Sequence, residues 1–219
     1  MLTNLHQHPK YPAPLSPPKD NTFALYGIIF FTCLVTWWAW QDVNSRYKQF
    51  GYSFYYVVKR GQWYRLFTYG FLHANKLHLI SNMFCLLVAG RWICQNTTIS
   101  NTDFFIFYIS SMVLSLLIAI FTIHKNLFNL GIRFEGLGAS GATNAIMFAS
   151  LLLSPHKSVT YTFIPLAYFF YMDYAKIGSI QTQGVNAVHL GGMIYGLVYV
   201  TIFYPRQLLM TKGHRHNRR

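Results

Sequence analysis

Residues 104–123 read FFIFYISSMVLSLLIAIFTI, a run without one charged side chain. A helix needs about 20 apolar residues to cross the hydrocarbon of a bilayer, and this segment supplies them. Further apolar runs cover 21–40, 69–89, 139–153, 159–174 and 186–204. The fourth and fifth are short, joined only by the SPHKS turn, and pair naturally as two spans. The expected fold is an all-α membrane protein, a bundle of six transmembrane helices with a short, central fourth helix. Irregular backbone at membrane depth survives only where protein or water shields it, which places that fourth helix inside.

Composition agrees. Of 219 residues, 53% are hydrophobic and only 11% charged, whereas soluble domains carry about a quarter charged residues. The net charge of +13 suggests basic loops against anionic headgroups, and nucleic acid is not an expected partner. Cys33, Cys85 and Cys94 form no CxxC and no disulfide framework. The organisation expected is a flexible, proline-rich arm over 1–20, a membrane domain over 21–204 and a basic tail over 205–219. Within the domain, 41–68 mixes aromatic with basic residues, as interfacial segments do. Lysines and arginines divide evenly between the two faces, and the dense cluster after Phe203 favours cytoplasmic termini.

Polar side chains inside spans are costly and mark functional sites. Three places qualify: His78 with Asn82, the Gly138–Gly141 stretch containing Ser140, and His189. His78 and Asn82 are four apart and share a helix face. The second, fourth and sixth spans enter from the same side, and these residues lie early in each. A fourth helix of 14 residues rises only about 21 Å, so Ser140 falls below the near surface. Gly192 and Gly196 form a GxxxG face that lets helices approach closely, bringing His189 within reach of Ser140. A hydroxyl needs a base to become a nucleophile, and a serine at a helix start has unpaired N–H groups beside it. Asn82 and His78 are further donors. Of the acids, only Glu135 and Asp173 could approach, so a Ser–His dyad is expected rather than a triad. Hydrolysis, transport and a scaffold role all remain compatible with this pattern, as does a metal site at His73, His78 and His189, although none of their spacings is tight. Transport would need a polar line to the far face, and the far halves of the fourth and sixth spans are too apolar.

Three stretches taken together resemble the rhomboid family of intramembrane serine proteases. In GQWYRLFTYGFLHANKLHLISNM, Arg65 matches a loop arginine, and His78 and Asn82 match a helix-borne pair. In GLGASGATNAI, Gly138 and Ser140 match GxSG, with Gly141 beside them. In VHLGGMIYG, His189 matches the base and Gly192 and Gly196 the packing glycines. The resemblance implies peptide-bond cleavage in single-pass transmembrane substrates by Ser140 and His189, with no metal or organic cofactor. It implies an oxyanion site from the Ser140 N–H, His78 and Asn82, and an extracytoplasmic active site. It also implies a mobile entry region, here 41–68 and 159–174. The implied location is a bacterial inner membrane with both termini cytoplasmic, in contact with membrane lipids. The alternative is a rhomboid-like protein that binds or escorts membrane helices without cutting them. Two positions depart from the family: Tyr64 replaces a frequent tryptophan, and Asn144 replaces an aromatic residue expected against the histidine. An amide at 144 could instead bond His189 or water.

Overall fold

The computed structural model describes residues 21–130, 135–154 and 180–213. Helix α1 (Phe23–Trp40) is followed by short helices α2 (Val43–Phe50), α3 (Phe54–Arg60) and α4 (Arg65–Thr68) and a 3-10 turn at Tyr69–Phe71. Then come α5 (Lys76–Asn96), α6 (Asn101–Leu130), α7 (Ser140–Leu153), α8 (Ile180–Phe203) and α9 (Pro205–Gly213). Two-residue strands β1 (Tyr52–Ser53) and β2 (Glu135–Gly136) pair antiparallel, Tyr52 opposite Gly136. Phe23–Trp40, Lys76–Asn96, Asn101–Phe121 and Gly184–Phe203 are long and apolar enough to cross a membrane, and Ser140–Leu153 is shorter. The expected fifth span, 159–174, the arm 1–20 and the last residues of the tail lie outside the described residues. The tail opens as helix α9.

The second span begins later than 69. Tyr69, Gly70, Phe71 and Leu72 are apolar, but they form a turn, and the Asn75 side chain accepts the His78 N–H at 2.8 Å to cap α5. That is a standard N-cap bond. Helix α6 starts three residues before the expected 104, where Ser100 Oγ accepts the Asp103 N–H at 3.1 Å and donates to its carboxylate at 2.6 Å.

The distribution of side chains is inverted relative to a soluble bundle. Phe23, Phe121, Leu77 and Ile80 are exposed, Phe121 by 86%, while Thr32, Thr36, Ser111, Ser115 and Thr143 are fully buried. Large apolar surfaces of this kind belong against lipid, and small polar residues between helices are typical of membrane bundles. Helix α7 is central as expected: α5, α6 and α8 all pack on it, and every residue from Ser140 to Met147 is buried. The fold is an all-α membrane bundle.

Candidate active site

The relation between α7 and α8 follows from three glycines. A Cβ on Gly192 would lie 2.1 Å from the Gly141 carbonyl oxygen, and one on Gly196 would lie 2.4 Å from the Ala145 carbonyl oxygen. Both positions advance by four, so the helices run parallel with backbones in contact. A Cβ on Gly141 would meet Val188 Cγ1 at 2.9 Å and Ser115 Oγ at 2.2 Å. The register therefore brings the first turn of α7, with Ser140, alongside the turn of α8 that carries Val188 and His189. Ser140 is 8% exposed and His189 9%; Ser140 opens α7, whereas His189 lies nine residues after the start of α8 at Ile180. The adjacent Gly191 faces α6 instead, with its Cβ position 2.6 Å from the Ser115 carbonyl oxygen. One glycine pair thus lets α8 press on two helices at once.

Helix α5 contributes the other wall. Gly138 has φ +118°, a backbone that side chains disfavour, and a Cβ there would fall 2.6 Å from His78 Cε1. His78 is thus stacked directly on the loop two residues before Ser140. Asn82 is buried, and its Nδ2 donates to the His78 carbonyl at 2.9 Å. Its Oδ1 accepts no hydrogen bond among the described residues. With one amide hydrogen committed, Asn82 retains a second one to donate.

Backbone donors at the helix start are sorted into two groups. The Gly138 N–H is held by the Tyr69 carbonyl at 3.0 Å and the Ala139 N–H by His73 Nε2 at 3.3 Å. From Ser140 onward the first-turn N–H groups have no acceptor within the helix, and Ala139 supplies no side-chain cap. Free N–H groups at a helix start beside a serine are what oxyanion stabilisation requires.

Arg65 is 3% exposed and anchors the loop over 41–68. Its guanidinium donates to the Lys48 carbonyl at 2.9 Å, the Gly51 carbonyl at 2.6 Å and Gln62 Oε1 at 2.7 Å, and stacks on Tyr56 at 4.6 Å. Tyr64 donates its hydroxyl to the Gln49 carbonyl at 3.1 Å, and its ring meets Phe50 edge-on at 6.4 Å.

Asn144 Nδ2 donates to the Ser140 carbonyl at 2.8 Å, one turn back on its own helix. Glu135 is exposed on β2, opposite Ser53, while Asp173 lies outside the described residues. The metal reading also loses a ligand, because both ring nitrogens of His73 are committed, Nε2 to Ala139 and Nδ1 to Thr36 Oγ1 at 3.1 Å. Sequence reading missed Thr36, Tyr69 and Ser115. Thr36 and Ser115 carried a signal, each as a hydroxyl in an apolar span.

A comparison with curated proteins finds no match. Residues 60–206 match the family model of the rhomboid domain, a range that holds Arg65, His78, Asn82, Ser140 and His189 and runs just past the end of α8. A match over most of the chain, on helices packed by these glycines, means that the chain belongs to the rhomboid family.

Proposed function

We propose that this protein is an intramembrane serine endopeptidase that cleaves single-pass transmembrane substrates with a Ser140–His189 dyad. The observation that carries the reading is the glycine-set register of α8 on α7, which levels the turn of His189 with Ser140. Ser140 Oγ attacks the scissile carbonyl while His189 takes its proton. His189 then protonates the departing amine, leaving an acyl-enzyme. A water, deprotonated by His189, cleaves the ester and restores the serine. The Ser140 N–H, Asn82 and His78 hold the oxyanion in both steps. No step requires a metal or an organic cofactor.

The exposed apolar faces of α1, α5 and α6 meet lipid, and a substrate helix approaches through the same medium. A peptide bond within a hydrogen-bonded helix is shielded until the helix unwinds, so substrates with a weak helix near the cut are favoured. The segments 41–68 and 159–174 form the entry region of this reading. With the six spans expected from the sequence, both termini fall on one face, taken as cytoplasmic in a bacterial inner membrane, with the site opening opposite.

The test is cleavage of a fluorogenic transmembrane substrate by purified protein in lipid, compared with Ser140→Ala. Cleavage by the parent and none by the variant supports the assignment. Equal rates would overturn it. A helix-binding or escort protein would bind the substrate and leave it whole in both forms.

A further inference from the structure

His73 is fully buried in the loop that leads into α5, and its ring bridges α1 and the residue just before α7. The direction of each bond is fixed by the groups at the two ends. A peptide N–H only donates, so the Ala139 N–H, 3.3 Å away, requires a lone pair on His73 Nε2. A neutral imidazole with that lone pair carries its proton on Nδ1. That nitrogen lies 3.1 Å from Thr36 Oγ1, which therefore accepts. The Thr36 hydrogen is then free to reach the Phe71 carbonyl at 2.9 Å, an atom that only accepts. Every proton in the chain Ala139–His73–Thr36–Phe71 has one place.

The base of the ring is fixed as well. The His73 carbonyl accepts from Trp40 Nε1 at 2.8 Å and from the Tyr47 hydroxyl. Its position is therefore set by α1, through Thr36 and Trp40, and by α2, through Tyr47. Its free end holds the peptide between Gly138 and Ala139, directly before the Ala139–Ser140 peptide that carries the Ser140 N–H. Rotation of the first would turn the second and redirect the donors around Ser140.

We propose that His73 is a positioning residue, held by Thr36 of α1, that fixes the peptide before Ser140 so that the first-turn N–H groups of α7 face the oxyanion. The role rests on the proteolytic reading of Ser140, while the proton arrangement does not. It assigns to α1, otherwise a lipid-facing helix remote in sequence from the serine, a part in the reaction.

Thr36→Val removes the hydroxyl at nearly constant volume, and Thr36→Ser restores it. With a transmembrane substrate, Thr36→Val should lower kcat by about 10- to 100-fold, the usual cost of losing a supporting hydrogen bond behind a reactive group. KM should stay unchanged, and Thr36→Ser should recover most of the rate. A merely structural role would lower the folded fraction without this split or this rescue. In parallel, nitrogen-15 histidine NMR of the full chain in bicelles reads the tautomer without any turnover. His73 should be neutral with its proton on Nδ1 near neutral pH, and Thr36→Val should change its signal. Parental kcat in Thr36→Val, or a His73 proton on Nε2, overturns the proposal. If the parent shows no Ser140-dependent cleavage, proteolysis fails as a reading, and the NMR signal alone then decides whether the relay exists.

Discussion

The carbonyl oxygen of Gly141 stands 2.1 Å from where a Cβ of Gly192 would be. Helices α7 and α8 therefore touch backbone to backbone, and their relative height is fixed by the absence of side chains.

Gly192→Ala should separate the two helices, since the obstructing atom is backbone and cannot rotate away. Overpacking of this kind costs about 1–3 kcal/mol. Thermal unfolding in detergent should show the loss, and cleavage should fall further than stability, because the His189 turn rides on the displaced helix. Ala substitution at Gly27, where nothing lies within 4 Å of the added Cβ, is the control with little effect.

Gly138→Ala combines two faults, a backbone at φ +118° and a collision with the His78 ring. Removing the ring in a His78→Ala background relieves only the second. The double variant should thus be more stable than the sum of the single losses predicts, by about 0.5–3 kcal/mol as contacting residues show in such cycles, measured by denaturant or thermal unfolding.

Asn82→Ala should separate rate from stability. Loss of one oxyanion donor lowers kcat by about 10²–10³. The variant should unfold near the parental temperature, because the substitution also removes the buried Oδ1 that accepts no hydrogen bond among the described residues.

Arg65→Lys keeps the charge but not the planar fork that serves Lys48, Gly51 and Gln62 together. Limited proteolysis should cut between 41 and 68 much faster in the variant, while α5–α8 stay protected.

Burial, aided by the neighbouring His78, lowers the pKa of His73 from 6.5 to about 3. The unfolded chain takes up this proton as pH falls through 6.5, and the folded chain resists it until near 3. Stability from this group is therefore complete above pH 6.5 and is lost progressively on acidification. Unfolding temperature should fall between pH 6.5 and 4, and less steeply in His73→Gln, which cannot be protonated.

The parts of the site legible in sequence are those encoded within one helix. Ser140 among glycines, His189 ahead of Gly192 and Gly196, and Asn82 four after His78 all follow from local spacing, because helix geometry converts spacing into a shared face. Relations between distant segments were not legible. Thr36 and His73 are 37 positions apart, and no periodicity links them. The start of the second span was misplaced because hydropathy counts Tyr69 to Leu72 as membrane, whereas the Asn75 cap decides where α5 begins. The Asn144 bond was not legible for a related reason: a short amide one turn into a helix can reach its own backbone carbonyl.

Proteolysis by this protein requires that Ser140 be a nucleophile activated by His189. The direct measurement is mass-spectrometric mapping of the purified protein after treatment with a fluorophosphonate. One phosphonylated residue, Ser140, is expected, with loss of labelling in folded His189→Ala protein. Labelling of Ser140 that persists at the parental rate without His189, or an unlabelled Ser140 in folded parent protein, would contradict it.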